Sequence, residues 1–322
     1  MICNFNGMII HQFPDLHWLK AQINQRFQQR RGINGVVLET DGFPSVIIHT
    51  KAIESYRPDI MGPISLFMNL HGESRCKVDG TTTVVPEDYF FISNRFQPYT
   101  LEIESNKPVE TFNIHIGEYF SEQVLSALIT PADTILNNGL QQQAHTIAFH
   151  NRLYQKDDPL KHLIQVLQQT QQRENFNKLL FEETLASLLN YLLRQHRHII
   201  QAIARMPPVK KATKIELYKR LSYALDYLHT HIFHTVDLEV LANTACLSKY
   251  HFLRLFKQTY GLSPYQYLQN LRLQKAKDLL CHTSSPVHEI AYLLGFENAA
   301  SFSRLFFQRT KTYPSVYRAA TN

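Results

Sequence analysis

Residues 252–268 read FLRLFKQTYGLSPYQYL, and residues 302–318 read FSRLFFQRTKTYPSVYR. At an offset of 50, Phe252, Arg254, Leu255, Phe256, Gln258, Pro264 and Tyr267 recur as Phe302, Arg304, Leu305, Phe306, Gln308, Pro314 and Tyr317. Each copy follows a short apolar segment, LEVLANTA before the first and HEIAYLLGF before the second. The spacing predicts a module of helix, tight turn, helix and proline-marked stop, present twice.

Local signals set the boundaries of each helix. Asp237 is placed to cap the helix starting at Leu238, with Glu239 at its positive end. Ser248 is placed to cap the next helix, and Gly261 supplies a left-handed stop. Ser263 and Pro264 open a long helix running to about Cys281, and Ser285-Pro286 repeats the start signal. In the helix after Ser248, Phe252, Leu255 and Phe256 form a core stripe. Tyr250, Leu253, Arg254 and Lys257 share another face, which carries an arginine for guanine, an apolar group for a thymine methyl and a lysine for phosphate.

Charge points the same way. The chain of 322 residues carries +6, divided as +8 over residues 209–322 and −2 over residues 1–208. A basic third on a slightly acidic body fits a polyanion-binding module.

Residues 213 to 319 closely resemble the AraC/XylS family of bacterial transcription regulators. The resemblance rests on Leu241-Ala242, Leu247-Ser248, Phe252 to Lys257, Gly261 with Ser263-Pro264, the Tyr267–Leu280 helix, Ile290-Ala291, Gly295-Phe296, Phe302 to Phe306, and Pro314 with Tyr317-Arg318. It implies two helix-turn-helix units joined by the 265–281 helix, whose recognition helices enter successive major grooves roughly 34 Å apart. Carried over by position, base reading falls on Tyr250, Leu253 and Arg254 in unit one. In unit two it falls on Ala299, Ala300, Ser303 and Arg304. Phosphate contacts fall on Lys249, Lys257 and Arg272. This sequence departs from its own repeat at Lys311, opposite Gly261, and at Phe307, opposite Lys257. Unit one is therefore expected to supply most of the discrimination.

From Val36 to Ile116 the pattern changes to short apolar or alternating segments: GVVLE, SVIIHT, ISLFMNL, TTTVV, DYFFIS, YTLEIE and ETFNIHI. Asp41-Gly42, Asp79-Gly80, Pro86-Glu87-Asp88 and Asn106-Lys107-Pro108 separate them as turn signals. AHTIAFHNRLY at 144–154 adds one more strand. The pattern predicts a β-barrel or sandwich, and the order HGES…VDG…VVPEDYFFIS…QPYTLEIE is similar to the cupin-like sensor half of AraC-type regulators. A catalytic cupin needs paired histidines and a carboxylate on neighbouring strands. This segment offers only His71 with Glu73, and His115, so a barrel with no metal or other cofactor is expected. His71, Arg75, Arg95, Tyr99 and His115 are the candidates for contact with a small-molecule effector.

Residues 159–204 read as helices. Leu160, Leu163, Ile164 and Leu167 form one stripe, and Phe181, Leu185, Leu188 and Leu192 form a second. The second suits either packing back on the chain's own barrel or a dimer interface, and the resemblance to AraC/XylS regulators favours the dimer. Residues 14–31 read as an amphipathic helix. RMPPVKKATK at 205–214 reads as a linker. His229, His231 and His234 fall at a helix-to-helix turn and are expected to be solvated. Cys3, Cys76, Cys246 and Cys281 are isolated thiols with no CxxC pair, as in a cytosolic protein. No leader or membrane span is read, and no phosphate loop or nucleophile motif appears.

The expected fold class is multidomain α+β. It comprises a cupin-like sensor domain at 1–156, a helical dimerisation region at 157–204, a linker at 205–212 and an all-α domain of two helix-turn-helix units at 213–322. The expected function is a non-enzymatic, effector-controlled transcription regulator in the bacterial cytoplasm, at the nucleoid. It acts as a homodimer on promoter DNA, with RNA polymerase as partner and no membrane association. The alternatives are a cupin-type metal enzyme with a DNA-binding appendage, and a ligand-independent regulator whose barrel serves assembly.

Overall fold

The computed structural model describes residues 8–17, 19–21, 43–130, 147–172, 177–207 and 209–321. These divide into two units, Met1–His198 and Ile199–Asn322. The expected strand GVVLE, the Asp41-Gly42 turn, Cys3 and residues 22–31 of the N-terminal helix lie outside the described residues.

β-branched and aromatic runs form the strands of the first unit, because such side chains pack well on a pleated surface. They are β1 (Met8–Ile10), β2 (Val46–Ile60), β3 (Ile64–His71), β4 (Ser74–Val78), β5 (Thr81–Val85), β6 (Tyr89–Ser93), β7 (Tyr99–Ile116) and β8 (Leu153–Gln155). The sheet order is β1-β2-β7-β3-β6-β8, with β4 paired to both β5 and β7. Asp79 and Gly80 take φ of 49° and 78°, the left-handed pair that a two-residue hairpin turn requires.

YTLEIE and ETFNIHI form one strand, β7, and not two. The register with β2 jumps between Glu54↔Glu104 and Ala52↔Val109. Residues 105–108 therefore bulge where a turn was expected, and Pro108 sits where its missing N–H breaks no ladder bond. The first half of β7 pairs with β4 and the second half with β3. One curled face gathers Ile60, Phe67, Cys76, Val85, Phe91, Tyr99 and Leu153 into a common core, against which Leu16, Leu19 and Phe43 pack.

Three helices complete this region: α1 (Glu118–Ile129), α2 (Asp158–Gln172) and α3 (Lys178–Ala204). The structure corrects the reading of the α3 stripe. Phe181, Leu185, Leu188 and Leu192 are each 0% exposed within the single chain. Their apolar area is already withdrawn from solvent within one chain, so none is left to hold a second subunit.

The second unit is helical: α4 (Lys211–Thr230), α5 (Leu238–Thr244), α6 (Lys249–Tyr260), α7 (Pro264–His282), α8 (Val287–Leu293), α9 (Ala299–Thr310) and α10 (Pro314–Thr321). Two similar groups follow one another. In the first, α5 and α6 lie between α4 and α7. In the second, α8 and α9 lie between α7 and α10. The helix α7 thus serves both. It is fixed at its start by a capping box, in which Ser263 accepts from the Gln266 N–H and Gln266 accepts from the Ser263 N–H, with Pro264 at the first helical position. Among the described residues no helix is long and apolar enough to cross a membrane.

Candidate nucleic-acid interface

In unit one, the Asp237 carboxylate accepts from the Glu239 N–H at 2.8 Å and starts α5. The chain then turns through Cys246, at φ 50°, and the Leu247 N–H closes the turn on the Ala242 carbonyl at 2.9 Å. Phe252, Leu255, Phe256 and Thr259 point α6 into the core. Gly261, at φ 76°, ends it with its N–H on the Lys257 carbonyl at 2.8 Å.

With those positions buried, helical periodicity turns Tyr250, Arg254 and Lys257 outward. Tyr250 is 86% exposed, Arg254 and Lys257 are exposed, and Leu253 is half-buried beside them. Neither Arg254 nor Lys257 is drawn into an ion pair among the described residues. Lys249 is also exposed, with Glu239 3.9 Å away, a separation at which an exposed pair contributes little.

Unit two repeats the plan with different residues. Its turn residue is Gly295, at φ 72°, and the Phe296 N–H closes on the Ala291 carbonyl at 3.0 Å. Asn298 caps α9, its side-chain oxygen accepting from the Ser301 N–H at 2.8 Å. Pro286 stands at the head of α8 with no side-chain cap. Phe302 and Phe306 are buried against Leu273, Ala276 and Leu280 of α7. Ala300 and Arg304 face solvent, and Ala299 and Ser303 are half-buried alongside. Arg304 Nε donates back to the Ala300 carbonyl at 3.4 Å. Where unit one has Lys257, Phe307 stacks on Tyr313 with ring centroids 4.6 Å apart.

Lys311 takes the left-handed conformation of its counterpart Gly261, at φ 61°. The helix stop survives the loss of glycine, at a cost of roughly 1 kcal/mol. The closing bonds also show that the two turns align at an offset of 49 (Leu247 with Phe296), whereas the recognition helices align at 50. One residue is inserted before Asn298. The αL turn residue is therefore Cys246 in one unit and Gly295 in the other, an equivalence that a constant offset conceals.

Arg272 is a correction. It was expected to contact phosphate, but it is 5% exposed and aimed inward. Nε donates to the Ile232 carbonyl at 2.9 Å, Nη2 to the His234 carbonyl at 2.7 Å and Nη1 to the Gly295 carbonyl at 3.1 Å. Burial lowers its pKa from the usual arginine value, yet it stays charged at neutral pH. Each such bond is worth about 1.5–3 kcal/mol, against several kcal/mol for desolvating the ion. The two roughly cancel, so what the residue secures is geometry.

Of the histidines at 229–234, His234 is exposed as expected. His229 is instead buried with its ring edge-on to Tyr267, and half-buried His231 stacks on Tyr227 at 3.8 Å. Among the described residues no three His, Cys, Asp or Glu side chains gather as a metal set.

In the first unit the five effector candidates do not all converge. Arg75 lies between buried Ser74 and Cys76, so strand alternation turns it outward to Glu104 at 3.4 Å. His71 ends β3 beside a register shift, exposed, with Glu87 at 3.5 Å. Arg95 is held by Glu118 at 2.7 Å and by Glu122. Tyr99 and His115 are buried, and both meet the Phe67 ring. Burial pushes His115 down to about 4, so it is neutral at pH 7. The Ser65 hydroxyl donates to the Pro63 carbonyl and so accepts from His115 Nδ1–H at 2.8 Å.

Residues 241–320 match the family described as "Helix-turn-helix domain". The chain is 29% identical over 147 residues to the regulatory protein PocR of Salmonella typhimurium, covering 45% of this chain and 46% of that one. It is 29% identical over 243 residues to an uncharacterized HTH-type transcriptional regulator of Haemophilus influenzae, covering 73% and 78%. A crystal structure of an AraC-type transcriptional regulator from Chromobacterium violaceum matches 32% of this chain and 91% of that chain, at 28% identity and a TM-score of 0.31. The chain thus spans about half the length of PocR, and 58% of the Staphylococcus xylosus lactose operon transcription activator. Residues 241–320 thus form a helix-turn-helix domain of the AraC type, and beyond it the chain is similar to transcription regulators.

Proposed function

We propose that this protein regulates transcription by binding promoter DNA, with α6 and α9 each placed in a major groove. The observation that carries the reading is the outward face of α6. An arginine and a lysine with no ion pair among the described residues stand beside a tyrosine that is 86% exposed, on a helix whose other face is buried. Arg254 and Tyr250 read bases, Lys249 and Lys257 hold phosphates, and Ala299, Ala300, Ser303 and Arg304 form the second contact. The protein acts as a homodimer through a surface other than the α3 stripe, with RNA polymerase as partner, in the bacterial cytoplasm.

The first unit is a cupin-like sensor in this reading. Its small-molecule effector sits beside Phe67, the ring that both Tyr99 and His115 meet. A metabolite that binds there raises the apparent melting temperature of the full chain in proportion to its saturation.

Selection of bound duplexes from random DNA tests the main claim. The expected result is an enriched two-part site whose affinity falls steeply with salt, because phosphate contacts release counterions. Recovery of unenriched sequence from the full chain, with and without a metabolite pool, overturns it.

A further inference from the structure

The α7 helix belongs to both helix-turn-helix units, and its Arg272 side chain holds both by directed bonds. Nε and Nη2 grip the Ile232 and His234 carbonyls in the loop that leads into unit one. Nη1 grips the Gly295 carbonyl in the turn of unit two. The site is shaped on both sides. A Cβ at Gly295 would stand 2.7 Å from Arg272 Nη2, and the guanidinium lies over the Phe296 ring at 5.9 Å. No carboxylate pairs with it among the described residues. Arg318 also donates to carbonyls, those of Leu280 and Ser285, at the end of α7 and just beyond it.

We propose that Arg272 is a positioning residue that fixes the separation and tilt of the two recognition helices, and so selects the spacing between the two DNA half-sites. The proposal rests on the DNA-binding reading above. Apolar packing along α7 is non-directional and tolerates sliding. A planar guanidinium is a rigid fork, and three carbonyls bonded to it are fixed relative to one plane. Two linked modules gain affinity only when the link lets both engage together. A staple between them therefore acts on spacing, while leaving each helix's own contacts intact.

The test uses the full chain with Arg272→Lys, which keeps the charge and loses the fork. The second variant is Gly295→Ala, which keeps the arginine and displaces it. Circular dichroism establishes that each is folded. Spin labels carried on unnatural side chains at Gln258 and Gln308, both exposed, report the distance between α6 and α9 without DNA. Native protein should give one narrow distance, and a folded variant a broadened or shifted one. On duplexes whose half-site spacing is varied by single base pairs, native protein should lose roughly tenfold or more at the wrong spacing and Arg272→Lys under about threefold, with half-site affinity unchanged. A folded variant that keeps the narrow distance and the native spacing preference overturns the proposal. A broadened distance in a chain that prefers no duplex upholds the staple and sinks the DNA-binding reading instead.

Discussion

The two helix-turn-helix units have one shape and two chemistries. Unit one places Cys246 at the left-handed turn and Gly261 at the left-handed stop, whereas unit two places Gly295 at the turn and Lys311 at the stop. Each spends its glycine at a different corner. In unit two the choice is forced, because the Arg272 guanidinium occupies the space a Cβ at Gly295 would need. No comparable crowding exists at Gly261, whose Cβ direction is open, so a side chain there meets only backbone strain. The outward faces differ as well. Lys257 is exposed on α6, whereas Phe307 of α9 is stacked on Tyr313. A repeated fold therefore holds its core rings constant and lets its solvent-facing and corner positions diverge.

The largest effect should come from removing what the units share. Phe256 and Phe306 are each 0% exposed, so Phe256→Ala and Phe306→Ala should each destabilise the second unit by about 3–5 kcal/mol, read by urea denaturation with circular dichroism. A much smaller loss at Phe306 would break the comparison by showing that unit two is not packed as unit one is. Next in size are the reading arginines. Arg254→Ala should cost roughly 1–3 kcal/mol and relax one base position, with Arg304→Ala the weaker of the two, in a selection from random duplexes. Equal losses of discrimination would remove the ranking of the units.

Exchanging the divergent outward residues is a finer probe. Lys257→Phe should reduce the slope of log affinity against log salt by about 0.9, the value of one phosphate contact. Phe307→Lys should raise it by a similar amount if α9 lies against DNA as α6 does. An unchanged slope in both variants removes Lys257 from the phosphate set. The smallest effect is at the stop of α9. Lys311→Gly should stabilise by about 0.5–1 kcal/mol, since it relieves a left-handed backbone. Gly261→Ala should destabilise by a comparable amount, and thermal denaturation of both variants checks the pair.

Much of the second unit was legible because its signals are local. Asp237, the Ser263–Gln266 box, Pro264 and the phenylalanines at offset 50 act within one or two helical turns. The hairpin at Asp79-Gly80 was legible for the same reason. Asn106-Lys107-Pro108 misled because a proline that ends most strands is tolerated at a bulge, and only the register with β2 places the bulge there. The α3 stripe was read correctly as apolar and incorrectly as an interface. Periodicity names a buried face without naming what buries it.

By itself the sequence determined two helix-turn-helix units, a strand-rich first region, and which face of α6 is apolar. These follow from backbone propensities, caps and the 3.6-residue period. Only the tertiary structure decided where the long polar side chains go. Arg272 has the same sequence context whether it reaches out to phosphate or in to carbonyls. The three carbonyls that claim it come from residues 232, 234 and 295, and they meet only when the chain is folded. His71 and Arg75 part company with Tyr99 and His115 for the same reason. A strand's alternation fixes that neighbours face opposite ways, and the curl of the sheet fixes which way is in.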